Sequence, residues 1–143
     1  ILAGVLNRCR LAVGTDTGPL HVAAMVGTKC FGLYYGSMGF RQTGPYGAGH
    51  FVISPDSEIY PTSEEAMQRN SALHPPVPAN LAADTVEAIL TGDSLPDQEG
   101  WPIRVSSWRQ SGLNWSKVRE GRLPPPELQF VEGLWKTTGA LKI

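Results

Sequence analysis

The chain has almost no net charge: twelve Lys and Arg against thirteen Asp and Glu leave −1 over 143 residues. That balance argues against wholesale electrostatic capture by nucleic acid or by an anionic membrane surface, so no nucleic-acid partner is expected. Cysteine is scarce. Cys9 and Cys30 lack CxxC spacing and sit in apolar stretches, so both are expected to be buried, reduced thiols. No apolar run approaches the ~20 residues that span a bilayer, and no charged-then-apolar leader is visible, which makes the cytoplasm the expected compartment. There is no GxGxxG fingerprint, no GxxxxGK[ST] loop and no serine in a nucleophile elbow, so dehydrogenase, ATPase and hydrolase readings lose support. His21, His50 and His74 lie far apart without a paired carboxylate or cysteine pattern, so no metal and no cofactor are assigned. An initial methionine is lacking too. Ile1 to Cys9 reads as the middle of something, and a longer natural protein is expected upstream.

What is present is the composition of one ordinary globular domain, 41% hydrophobic and 17% charged. Leu2, Val5, Leu6 and Cys9 share one helical face. Arg10 to Gly14 reads as a buried parallel strand, and Pro19 suits the first turn of a helix over Leu20 to Val26. Asp16 or Thr17 can cap that helix, and Gly27 can end it in the left-handed conformation. Cys30 to Tyr35 is a second strand, stopped by Gly36, so the fold class is α/β. Gly36 to Gly49 reads as a loop, Phe51-Val52-Ile53 as a third strand, and Ser63 to Arg69 as one helical turn. A further helix is expected over Ala79 to Leu90, capped by Asn80, stopped by Gly92, and buried through Leu81, Ala82, Val86, Ile89 and Leu90. Beyond Asp93 the texture changes to four tryptophans and a Pro124-Pro125-Pro126 run. The division expected is a partial α/β domain over 1–92 and a Trp/Pro-rich extension over 93–143. Trp101, Trp108 and Trp115 are expected to cover the core, in preference to forming a sugar-binding platform.

The segment Thr15-Asp16-Thr17-Gly18-Pro19-Leu20-His21 carries the chemistry. A helix start leaves up to four amides without intrahelical partners and adds partial positive charge, at the carboxyl end of a strand where α/β sheets bind ligands. Gly14 and Gly18 allow close approach, Thr17 adds a hydroxyl donor, and His21 on the first turn can reach a phosphate oxygen. Asp16 would repel phosphate, so it is expected to accept hydrogen bonds from sugar hydroxyls or from the turn's own amides. On spacing alone, a plain capped turn with a satisfied histidine fits equally well.

The run Cys9 to Ala24, containing Asp16-Thr17-Gly18-Pro19-Leu20-His21 and followed by Gly27-Thr28, resembles the signature of glycosyltransferase family 9, the ADP-heptose lipopolysaccharide heptosyltransferases. Arg41 with Gly44-Pro45-Tyr46-Gly47 is similar to that family's next block. The likeness spans about Ile1 to Gly92 and departs at Lys29 and at Tyr35 to Phe40.

The resemblance implies a GT-B enzyme of two Rossmann-like domains, of which this chain is part of the C-terminal, donor-binding one. It implies that Asp16, Thr17, Gly18 and His21 contact the diphosphate and heptose of a nucleotide-sugar donor, with Arg41 as a further candidate for a phosphate or anionic acceptor. It implies metal-independent transfer to a lipopolysaccharide-type glycolipid or other glycan acceptor, at the inner face of the cytoplasmic membrane with peripheral association. The family's general base and an earlier phosphate-binding lysine belong to the N-terminal domain. No catalytic residue is therefore expected here, the fragment alone should be inactive, and its sheet edges could drive oligomerisation. Two other readings are carried: a noncatalytic nucleotide-sugar binding module, and an enzyme like the UDP-sugar epimerases.

Overall fold

A computed structural model describes residues 1–35, 39–55 and 76–118. The expectations at Gly36, Ser63 to Arg69, His74, the triple proline and everything after Val118 lie outside them. The elements run α1 (Leu2–Leu6), β1 (Ala12–Gly14), α2 (Gly18–Met25), β2 (Cys30–Leu33), α3 (Phe40–Thr43), β3 (Phe51–Ile53), α4 (Ala79–Thr91), β4 (Ile103–Arg109) and β5 (Gly112–Lys117). The five strands form one sheet in chain order, β1-β2-β3-β4-β5. The first three are parallel, and β4 and β5 add as an antiparallel hairpin beside β3. This mixed α/β arrangement is consistent with a Rossmann-like fold.

Alternation along the strands decides which helix covers which face. Phe31, Phe51, Ile53, Ile103 and Val105 point to one side, where Leu81, Ala88 and Ile89 of α4, with Leu95 and Trp101, close the main core. Cys30 points to the other side, under Leu20, Ala23 and Ala24 of α2. Val52 also faces that way, against Tyr34, Phe40 and Trp115. Helices thus occupy both faces. Trp101 and Trp115 are buried, as expected of core cover, but on opposite faces.

Several expectations need correction. β1 is an edge strand with Val13 exposed, because no described strand lies on its outer side. The first helix stops at Leu6, Leu2 and Val5 are exposed, and only Leu6 of that face packs on α2. Cys9 lies past the helix end and is exposed, whereas Cys30 is buried and its thiol pushed up to about 12 by desolvation. β2 ends at Leu33, two residues early. Asn80 is inside α4, whose N-cap is Pro78. The buried face of α4 is Leu81, Thr85, Ala88 and Ile89, leaving Ala82, Val86 and Leu90 half-buried. Thr85 belongs to it because its hydroxyl donates to Leu81 O at 2.7 Å and so satisfies itself inside the helix. The sheet continues past the boundary expected at 92, since β3 pairs with β4 through Val52 and Arg104 and their neighbours.

Two glycines end helices as the sequence suggests. Gly27 has φ +82, its amide donates to Ala24 O at 3.1 Å and that of Thr28 to Ala23 O at 2.9 Å, a Schellman cap. Gly92 closes α4 at φ +85.

His50 pins the connection between α3 and β3. Its Nδ1 accepts the Cys30 amide at 3.2 Å, its backbone exchanges bonds with Ser106, and its ring also bonds to the backbone of Tyr46. Burial, with a smaller contribution from Lys29, lowers its pKa from 6.5 to about 4 against the opposing effect of the Tyr46 bond. The unfolded ring takes up a proton near pH 6.5 and the folded ring only near 4, so stability is full above 6.5 and falls with pH across that window. The loss reaches about 3 kcal/mol by pH 4. Urea midpoints measured from pH 7 to 4.5 should show this slope, and His50→Gln should flatten it.

Candidate functional site

The turn after β1 sits where the sheet's parallel strands end. Gly14 pairs with Gly32, so Asp16 and Tyr34, each two residues on, leave neighbouring strands at the same level. Thr17 occupies the N-cap of α2 with extended backbone (φ −142, ψ 155), and Pro19 lies in the first turn. The cap is unlike the one expected. Thr17 makes no side-chain cap bond, its hydroxyl instead lying 3.4 Å from Thr15 O. Pro19 has no amide, and the Leu20 amide donates back to Thr17 O at 3.1 Å, so the turn offers fewer free donors than four. Thr17 and Gly18 are exposed at its mouth.

Asp16 and His21 come together across the turn, with Asp16 Oδ1 3.4 Å from His21 Nε2. The pair is part-buried. This corrects one expected role of Asp16: no described bond joins its carboxylate to the turn's amides, and its described side-chain partner is the imidazole. A carboxylate on one ring nitrogen fixes the tautomer and orientation of a histidine, leaving the other nitrogen to face a ligand.

Tyr34 belongs to the same corner and was not singled out from the sequence. Its hydroxyl donates to Thr43 O on α3 at 2.8 Å. Burial raises its pKa well above the ordinary phenol value, and the Asp16 carboxylate adds to that, so the two groups feel each other across the strand ends. The only sequence signal for Tyr34 is Gly32: a Cβ there would come within 2.5 Å of the Tyr34 ring, so the glycine makes room for it.

Arg41 rides on α3, a short helix inside the expected loop. Its guanidinium lies 5.2 Å from the Phe40 ring centroid. Arg104, buried on β4, approaches the same ring at 4.9 Å and donates to Ser54 Oγ at 2.6 Å, at the carboxyl end of β3. Two cations therefore flank one phenylalanine beside the strand ends. Arg41 connects to the turn by way of Thr43 and Tyr34. Arg104, outside every motif, gave no sequence signal.

A groove of about 480 Å³ lies elsewhere, on the outer side of α4, lined by Ala82, Ala83, Val86, Glu87, Leu90 and Thr91. Its wall is apolar and offers a phosphate little to bond. Among the described residues no cluster of three or more His, Cys, Asp or Glu could hold a metal ion, and no helix is long and apolar enough to cross a membrane.

The arrangement of strand, Asp-Thr-Gly-Pro turn, helix with histidine, and second parallel strand agrees with a direct family comparison. The family model described as glycosyltransferase family 9 (heptosyltransferase) matches residues 2–72. Over those residues the chain belongs to glycosyltransferase family 9. No curated protein and no solved structure matches it. The family segment carries α1 to α3, β1 to β3 and all of Asp16, Thr17, Gly18, His21 and Arg41, while α4, the hairpin and Arg104 lie beyond it. Membership of glycosyltransferase family 9 implies a sugar donor and an acceptor for the whole protein.

Proposed function

We propose that this chain is the donor-binding portion of a GT-B glycosyltransferase that moves a heptose-like sugar from a nucleotide diphosphate sugar, ADP-heptose being the first candidate, to a lipopolysaccharide-type or other glycan acceptor. The observation that carries the reading is the Asp16–His21 pair at the start of α2, where β1 ends. In this reading the Gly18 amide, the Thr17 hydroxyl and His21 hold the diphosphate, and Asp16 orients His21. The acceptor oxygen bonds to the anomeric carbon as the sugar's bond to the diphosphate breaks, and negative charge grows on the departing phosphate. A helix start stabilises that charge, as does a His21 ring oriented by Asp16, which donates to the phosphate from its second nitrogen in the form that carries both N–H protons. The base that takes the acceptor's proton is assigned to an N-terminal domain beyond this sequence, and Arg41 to the cationic wall opposite the turn.

Titration calorimetry of the full-length protein with ADP, UDP and ADP-heptose tests this. Binding of ADP and ADP-heptose, with crosslinks from a photoreactive ADP mapping to 16–21, is the expected result. Crosslinks elsewhere, or no binding by any of the three, would overturn the site assignment.

A further inference from the structure

Tyr46 stands apart among the exposed apolar side chains. Ile1, Leu2, Val5, Val13 and Met25 belong to α1, α2 or the β1 edge and Tyr35, 38% exposed, follows β2, while Tyr46, the more exposed of the two tyrosines at 70%, lies in the connection between α3 and β3. Its ring meets Trp108 of β4 edge to face, with centroids 5.4 Å apart and planes at 78°. Trp108 is half-buried. The pair escaped expectation because its two rings are distant in sequence, and the two buried tryptophans of the seven-residue series are core.

The backbone under Tyr46 is tied down on every side. Pro45 before it is fully buried. The His50 ring bonds to the backbone of Tyr46 itself. Gly47 has φ +132, and a Cβ there would come within 2.9 Å of His50 Nε2. Gly49, at φ +79, donates to Ser106 O at 2.9 Å. A loop held by a buried proline, a buried imidazole and two left-handed glycines thus presents one flat ring to solvent at little further entropic cost on binding.

We infer that Tyr46 and Trp108 form a saccharide subsite, with the Tyr46 face stacking on the C–H face of a pyranose. An exposed ring backed by Trp108, with exposed Arg109 and Gln110 following Trp108 in the chain, matches the chemistry of a sugar, apolar on its face and hydroxylated at its rim. A protein hot spot would extend the apolar surface around the anchor instead. The place is remote from the turn. It lies toward the amino ends of the parallel strands and across the sheet from β1, roughly 20 Å from Asp16 by strand spacing and rise. The sugar it takes is therefore a distal residue of an extended glycan, anchoring the acceptor away from the reacting hydroxyl. The choice of a glycan rests on the family's glycosyl chemistry, while the site rests on the rings.

The test is saturation-transfer NMR and titration of the full-length protein with methyl glycosides of glucose, galactose and mannose, without nucleotide. At least one glycoside should bind, Tyr46→Ala should weaken it about tenfold, and Tyr46→Phe should leave it nearly unchanged. His21→Ala should also leave it unchanged, which separates this site from the donor reading. The inference is overturned if no glycoside binds, if Tyr46→Ala binds as well as the parent, or if that variant instead changes the oligomeric state in light scattering, which would make the ring a protein contact.

Discussion

Replacing Gly44 by alanine should destabilise the protein by about 3 kcal/mol or more, the largest effect expected of any single methyl group in the described residues. Gly44 follows α3 with φ −66 and ψ 159, angles that alanine adopts freely, so the cost is purely one of space. Its amide closes the helix onto Phe40 O at 2.7 Å. A Cβ on Gly44 would overlap that carbonyl oxygen and approach Trp115 Cζ2 at 2.8 Å. Neither can yield readily. Phe40 is buried between Tyr34 and Trp115, with ring centroids at 6.3 and 5.7 Å, and Trp115 is held in the β4–β5 ladder opposite Ser106. Gly4→Ala is the matched control, since nothing lies within 4 Å of its Cβ position and it sits in α1. That variant should gain up to about 1 kcal/mol. Urea denaturation of both decides the matter: equal midpoints would show that α3 and the hairpin are less tightly packed than the distances require.

His21→Ala should lower glycosyl transfer by the full-length protein about a hundredfold, the scale of losing one preorganised donor to a developing oxyanion. The reasoning follows from the proposed function and from geometry. The ring's Asp16 partner at 3.4 Å leaves one nitrogen to address the phosphate. Asp16→Asn keeps a hydrogen-bonding side chain of the same shape, so it should cost less than Asp16→Ala, which releases the ring. An order His21→Ala ≥ Asp16→Ala > Asp16→Asn in lost kcat, with melting temperatures close to the parent, is the expected pattern. If Asp16→Ala proved harmless while His21→Ala was severe, the orienting role of Asp16 would fall. If both were harmless, the turn would be structural.

The parts of the molecule legible in the sequence are those governed by near neighbours. Gly27 and Gly92 stop their helices in left-handed geometry because a C-cap is a local event. The strand, turn and helix from Ala12 to Met25 could be read because proline, glycine and the apolar run are close neighbours in the chain. What escaped depends on partners far along the chain. Val13 looked buried because a strand's own apolarity does not reveal whether a second neighbour exists. Thr85 was not among the residues of the expected buried face, because its side chain is polar and its bond within its own helix does not show in the sequence. The hairpin of β4 and β5 was hidden by serines and by Arg104, and Ser54 and Phe40 help receive the buried Arg104 as His50 does Ser106. In the site, Asp16 and His21 were visible as a motif, whereas Tyr34 joins them through strand register, which one sequence does not display.

The identity of strand order and chain order also bears on how the molecule assembles. Each strand docks beside its immediate predecessor, so a nascent chain emerging from the ribosome can extend the sheet in the order of synthesis without displacing anything already placed. The steps are unequal. The sequence gap from Ile53 to Ile103 far exceeds that between β1 and β2, and closing it costs on the order of 1 kcal/mol more in chain entropy. The β4–β5 ladder turns at Gln110 and Ser111, so its closure is the most local of the sheet's steps. Docking of that ribbon against β3 is thus expected late in folding, and until it docks β3, whose residues are all buried at the end, would lack one neighbour.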